Sequence, residues 1–293
     1  MNELTALLLG MHDASEVREK YLKVPFAYPG SKVEHLHRIL PHIEYREGYA
    51  EAFGGTGAVL LNRQPSKLEV FNDRYSGVTD FFRVVRDKKL FPEFMERISA
   101  TVHSREEFIW CKNTWKNHDD LVERAARWYY CARFAVNGKP KSTFGRAVNP
   151  VARFADRLIK SLPLFGPIHS RFQTVTLENL DWRLCLQDYD RKNMSWYLDP
   201  TYLDCSTGNY EDEMSYQDHF ELMARIQNLQ GAVVLSTFDG PKTRAIYDKA
   251  GVWRERIAWE RNTTAKPRAY NEQNSQNDDH DQFPKTELLW IKA

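Results

Sequence analysis

The run Gly48-Tyr49-Ala50-Glu51-Ala52-Phe53-Gly54-Gly55-Thr56-Gly57 decides the fold. Residues 48–53 predict a short strand that ends in a glycine turn. Ala58–Asn62 opens a helix, and Leu68-Glu69-Val70-Phe71-Asn72-Asp73 predicts a second strand ending on an acid. Strand, glycine turn, helix and strand make a βαβ unit, which requires a parallel sheet covered by helices. Glycines let the chain turn sharply and let a ligand approach the main chain. Asp73 stands where a carboxylate can accept both hydroxyls of a ribose. A nicotinamide cofactor, a flavin and S-adenosylmethionine fit these features equally, and a tight turn without a ligand accounts for them too. No G-K-[ST] follows the glycines, which argues against a P-loop. Leu60 and Leu61 stand where a dinucleotide fingerprint has its third glycine, which argues against NAD.

Outward from this unit, residues 1–24 predict an added amphipathic helix; they lack the basic start of a signal peptide. Residues 33–40 have helical spacing up to Pro41. Further strands are predicted at 172–177, 195–198, 232–237 and 286–291. Residues 262–285 are polar, rich in Asn, Asp and Gln, and predict a surface loop. Between 86 and 171 the spacing is mostly helical. The expected architecture is one α/β domain, residues 25–85 and 172–293, divided by a helical insert.

The segment Trp196-Tyr197-Leu198-Asp199-Pro200-Thr201-Tyr202 brings chemistry. An apolar strand ends in an acid, then a proline, and two residues later an aromatic. The exocyclic amine of a nucleobase is a poor nucleophile, because its lone pair is delocalised into the ring. A carboxylate accepting one N–H and a carbonyl accepting the other pull the nitrogen toward sp³ geometry. Asp199 and the Pro200 carbonyl suit those tasks, since proline fixes the turn and has no competing N–H. Tyr202 is then placed to stack on a flipped base. A strand-ending turn with a buried tyrosine is the plainer reading of the same residues.

Several motifs in order resemble the Dam-like (D12 class) DNA adenine-N6 methyltransferases, phage-encoded members above all. They are Tyr28-Pro29-Gly30-Ser31-Lys32, Glu51-Ala52-Phe53-Gly54-Gly55-Thr56-Gly57, Asn72-Asp73, Asn179-Leu180-Asp181 and Asp199-Pro200-Thr201-Tyr202. Glu213-Met214-Ser215-Tyr216-Gln217-Asp218-His219, Val234-Leu235-Ser236-Thr237-Phe238-Asp239 and Glu287-Leu288-Leu289-Trp290 continue the series. The resemblance implies a class I S-adenosylmethionine-dependent methyltransferase fold, Rossmann-like, with an inserted helical target-recognition domain at 86–171. It implies methyl transfer to N6 of a flipped adenine in double-stranded DNA, with no metal. By the same resemblance, Tyr28 and Lys32 belong to the cofactor motif, Lys32 facing the methionine carboxylate. Glu51, Phe53 and the glycines 54, 55 and 57 hold the methionine part, Asp73 the ribose, and Leu180 and Asp181 the adenine. Asp199 is the catalytic acid. The family pattern has a second proline where this chain has Thr201, so a catalytically impaired DNA-binding homologue is one alternative. Cytosine-N4 methylation, which uses the same amine chemistry, is another. No Pro-Cys occurs, which removes attack through cysteine on cytosine C5.

The chain has 293 residues, with 41 Lys and Arg against 40 Asp and Glu, a formal net charge of +1. That excludes a uniformly basic coat protein. It hides a polarised distribution. Over residues 121–160 nine basic residues face only Glu123 and Asp156, a local excess of +7. Arg124, Arg127, Arg133, Lys139, Lys141 and Arg146 are the expected DNA contacts, through phosphates and guanine edges. The acids of 204–221 predict the solvated start of a helix over Tyr216–Asn228. Cys111, Cys131, Cys185 and Cys205 lack metal-ligand spacing and predict idle thiols in a reducing cytoplasm. His35, His37 and His42 are expected at the surface or as caps, and His280 in a solvated charge cluster. No apolar run reaches the ~18 residues of a membrane span.

Overall fold

The computed structural model describes residues 21–28, 30–138, 142–145, 154–203, 213–249, 251–260 and 286–293. Residues 1–20 of the predicted N-terminal helix, the 262–285 loop, Cys205, His280 and the basic residues Lys139, Lys141 and Arg146 lie outside the described residues; residues 21–24 are not helical.

Seven strands form one sheet in the order β3-β2-β1-β4-β5-β7-β6. They are β1 (Gly48–Glu51), β2 (Leu68–Asn72), β3 (Thr176–Glu178), β4 (Met194–Leu198), β5 (Ala232–Phe238), β6 (Glu255–Glu260) and β7 (Thr286–Lys292). The first five run parallel; β7 inserts antiparallel between β5 and β6. The helices are α1 (Leu36–Ile39), α2 (Ala58–Asn62), α3 (Ser76–Arg86), α4 (Leu90–Ser99), α5 (Arg105–Thr114), α6 (Leu121–Phe134), α7 (Phe154–Ile159), α8 (Phe165–Phe172), α9 (Trp182–Tyr189), α10 (Tyr216–Asn228) and α11 (Pro241–Tyr247).

The strands are apolar on both faces because both are covered. Phe71, Tyr197, Val234 and Leu289 face one core, which α2, α3, α6 and α8 close. Their strand neighbours Val70, Trp196, Val233 and Trp290 face a second core, closed by α9, α10 and α11. Alternation with period two assigns each side chain to its core. The predicted βαβ unit forms as read: β1, the glycine turn, α2 and β2. Gly57 takes φ +68° as it enters α2, a conformation that glycine adopts without strain. Gly54 lies so close to Phe71 that a Cβ there would sit 2.4 Å from its ring.

Three readings need correction. Residue 172 does not begin a strand: Phe172 ends α8, and its ring stacks on Phe82 at 4.3 Å, so the apolar residue serves helix packing. The strand begins only at Thr176. The helical turns from Val33 do not stop at Pro41 but continue to His42, because proline is accepted in the first turn of a new helical segment. Strand β6 was not foreseen. It is an edge strand whose outward residues Glu255, Arg256 and Glu260 dilute the apolar pattern.

The helical segment expected to be an insert shares the first core. Trp128, Tyr129, Phe94 and Phe165 belong to the same buried cluster as Phe71 and Phe82. Trp128 packs edge-on against Phe26 at 4.9 Å, and Tyr129 stacks on Phe81 at 5.5 Å. We expect Trp128→Ala to cost about 3–5 kcal/mol while unfolding remains one cooperative transition by calorimetry. Two separate transitions would mean that the segment has a core of its own.

Candidate active site

In an open parallel sheet, a crevice forms where the chain leaves neighbouring strands in opposite directions. Here that point lies between β1 and β4, and a cavity of about 450 Å³ opens above their carboxyl ends. The sequence-predicted residues Tyr28, Lys32, Glu51, Phe53, Gly54, Gly55, Asp73, Asp199, Pro200 and Tyr202 all line it. Gly57 sits just behind, at the start of α2.

Asp199 follows the last residue of β4. Its Oδ2 lies 2.7 Å from Lys32 Nζ, and its Oδ1 accepts a 2.9 Å hydrogen bond from the Tyr202 hydroxyl. Lys32 also donates to the Gly30 carbonyl at 2.6 Å, and its ammonium lies 5.1 Å from the centre of the Tyr202 ring. Expected to face a methionine carboxylate, Lys32 is thus paired with Asp199. The Tyr202 ring packs edge-on against Phe238 at 4.4 Å. Burial pushes the Asp199 carboxyl above the usual range; Lys32 opposes this, and the negative charge of Glu287 adds to it. Thr201, the departure from the family pattern, accepts a 2.8 Å hydrogen bond from the Met214 amide.

On the other side of the cavity Asp73 orders the glycine turn. Its two oxygens accept from the amides of Gly55 and Tyr75, both at 2.8 Å. Gly55 has φ +52°, and nothing lies within 4 Å of where its Cβ would be. Glu51, at the end of β1, is buried and accepts from the Tyr49 hydroxyl at 2.7 Å. Burial pushes its carboxyl up to about 8, so it is neutral at pH 7.

Leu180 and Asp181 are not on the cavity wall. Leu180 is tied to the fully buried Asn72 side chain, which donates to the carbonyls of Ala52 and Leu180 and accepts from the Leu180 amide. Asn72 therefore stitches β1 to the loop after β3. Asp181 caps α9 and pairs with Arg183 at 3.3 Å. The residues that reach the cavity there are Trp182 and Arg183. Glu287, Phe238 and Met214 also line the cavity. They stood in the quoted motifs without a role, because spacing alone does not show that β7 returns beside β5. His35 is not a surface residue: it is buried, with Nε2 3.6 Å from Glu287 Oε1.

The basic residues of α6 divide. Arg124 pairs with Asp80 at 2.6 Å, and Arg127, 8% exposed, pairs with Glu123 at 3.0 Å and lies over the Trp110 ring. Both are held by acids of the fold. Arg133, near the end of α6, donates to the Arg157 carbonyl in α7. Of the acidic stretch, Asp218 forms a capping box with Ser215 at the start of α10, and both Asp218 and Glu221 pair with Arg183. Cys111, Cys131 and Cys185 are buried free thiols. Among the described residues no group of three or more His, Cys, Asp or Glu is arranged to hold a metal, and no helix is long and apolar enough to cross a membrane.

A mostly parallel seven-stranded sheet with antiparallel β7, and a glycine turn and an acid-proline turn across one crevice, define a methyltransferase of the class I, Rossmann-like kind. The D12 class N6 adenine-specific DNA methyltransferase family matches residues 28–264, and the chain belongs to that family. Among solved structures, the rRNA methyltransferase aviRa from Streptomyces viridochromogenes is similar at 9% identity, over 99% of this chain and 94% of its own, with a TM-score of 0.33. No curated protein matches the chain.

Asp199 sits between one cation and one anion, which gives two shifts of opposite sign. Lys32→Met removes the charge that favours the anion, so the acid limb of the rate profile moves to higher pH. Glu287→Gln removes a neighbouring negative charge, so the limb moves to lower pH. Single-turnover rates from pH 4 to 9 check both, and shifts in the same direction contradict this electrostatic arrangement.

Proposed function

We propose that the protein transfers the methyl group of S-adenosylmethionine to N6 of an adenine flipped out of double-stranded DNA. The observation that carries this reading is the placement of Asp199. It directly follows β4, holds Lys32 and the Tyr202 hydroxyl on its two oxygens, and shares one cavity with Asp73 and the glycine turn. The cofactor side has groups that suit S-adenosylmethionine: the acceptor Asp73, the open cradle at Gly55, and Glu51 at the end of β1. When bound, S-adenosylmethionine supplies an electrophilic methyl on a sulfonium.

The chain's own residues then act on the amine. Asp199 accepts one N6 hydrogen and the Pro200 carbonyl the other, which frees the nitrogen lone pair. Lys32 opposes the effect of burial and favours the Asp199 carboxylate, the form that receives the proton N6 loses on methylation. Tyr202 and Phe238 form an aromatic wall for a base removed from its stack. A base in a stacked duplex cannot reach these groups, so flipping accompanies the reaction. For DNA contacts, Arg133, Lys139, Lys141 and Arg146 are the proposed phosphate and base-edge groups. Arg124 and Arg127 act indirectly, by fixing α6 on Asp80 of α3 and on Thr114 and Trp110 of α5. The three buried free thiols fit a reducing cytoplasm.

Transfer of tritiated methyl to unmethylated duplex DNA tests the reading, with nucleoside analysis of the product. We expect N6-methyladenine from the wild type and a rate reduced at least ~10³-fold in Asp199→Ala. N4-methylcytosine would reassign the base, and no incorporation into any DNA would leave a binding protein only.

Glu51 adds a pH-linked prediction. Its folded carboxyl titrates near 8 against about 4.5 unfolded, so the folded state holds an extra proton between those values. The stability from that proton is complete below pH 4.5 and is lost as pH rises through 8. A cationic cofactor arriving beside Glu51 favours its anion, so binding at pH 7 releases a proton. Calorimetry in phosphate and in Tris, whose ionisation enthalpies differ, is expected to give different binding enthalpies, and Glu51→Gln to remove the difference. Equal enthalpies for the wild type would refute the assignment.

A further inference from the structure

Thr201 lies inside the catalytic turn, yet the proposed chemistry does not use its side chain. The structure gives that side chain a defined contact: Oγ1 accepts the Met214 amide at 2.8 Å. Met214 immediately precedes Ser215, the N-cap of α10. That cap is stiff, because Ser215 and Asp218 bond each other's backbone amides and Asp218 is held by Arg183. Thr201, Met214 and Trp182 also line the cavity that contains Asp199. One hydroxyl thus joins the acid-bearing turn to the rigid start of a helix and to the cavity wall. A proline at 201 has no hydroxyl and cannot make this bond.

We propose that Thr201 is a positioning residue for methyl transfer: its hydroxyl fastens the Asp199–Pro200 turn to the N-terminus of α10. The inference rests on the proposed methyltransferase reaction. Asp199 must meet one amine hydrogen while the Pro200 carbonyl meets the other, so the turn has to hold two acceptors at a fixed separation and angle. Misplacement by a fraction of an ångström at such a pair slows transfer without weakening binding. The hydroxyl supplies by hydrogen bonding the stiffness that a second proline supplies covalently.

Thr201→Val keeps the shape of the side chain and removes the acceptor. Thr201→Ser keeps the acceptor and removes a methyl group. Thr201→Ala removes both and tests whether any valine effect is crowding. With the full-length chain at saturating S-adenosylmethionine and DNA, we expect the single-turnover rate to fall about five- to tenfold in the Val and Ala variants, the loss of one hydrogen bond. The serine variant stays within about twofold of wild type. KM for both substrates changes less than about twofold in all three. Hydrogen exchange of the Met214 amide, followed by NMR, speeds up in Val and Ala and not in Ser. Wild-type rates in Val and Ala overturn the proposal, as does a serine variant as slow as valine. An unchanged Met214 exchange in the valine variant overturns it as well. If the wild type methylates no DNA, the methyltransferase reading fails, whereas the exchange measurement still decides whether the hydroxyl fastens the turn.

Discussion

A carboxylate taken out of water prefers to be neutral, and a neutral Asp199 cannot receive a proton. The cavity makes this harder by bringing the negative charge of Glu287 into the same region. The Lys32–Asp199 ion pair resolves the conflict. One ammonium, 5% exposed, favours the Asp199 anion against the effect of burial, while burial pushes the Glu51 carboxyl up to about 8. Breaking a buried pair leaves a lone charge and costs about 3–5 kcal/mol, so the pair also anchors the segment before α1 to the end of β4. The reactive group and the local stability of the site depend on the same contact.

The rest of the fold delivers the two partners to each other. Lys32 comes from a turn far upstream and Asp199 from the end of β4, and parallel strands alone bring such distant positions to one edge. Gly54 admits Phe71 against the turn, Asp73 orders the Gly55 amide, and Asn72 links the β1 end to the loop after β3. These contacts are mostly backbone to side chain, which explains why small and amide residues cluster beside the cavity.

The β1–α2–β2 unit was legible because its signals are local: a glycine turn, an apolar strand on each side, and a helix start at Ala58. The acid-proline turn was legible as a strand end because an apolar run stops at an acid and a proline. Glu287 and His35 were not legible, since their approach depends on β7 returning antiparallel beside β5, a long-range pairing with no local mark. Arg124 and Arg127 were read by charge alone, and charge does not reveal that Asp80, 44 residues earlier on α3, waits for Arg124. Strand β6 escaped because a polar edge strand resembles a loop in composition. Phe172 was misplaced because a single aromatic next to Gln and Thr satisfies a helix end and a strand start alike.

The aromatic cluster of Phe26, Phe81, Trp128, Tyr129 and Phe165 has a consequence for how freely the helical segment could be exchanged. A segment that hung from the rest of the fold by two linkers would be an interchangeable cassette. Here its inner face is part of the body's own interior, so a transplanted segment would arrive with the wrong interior surface.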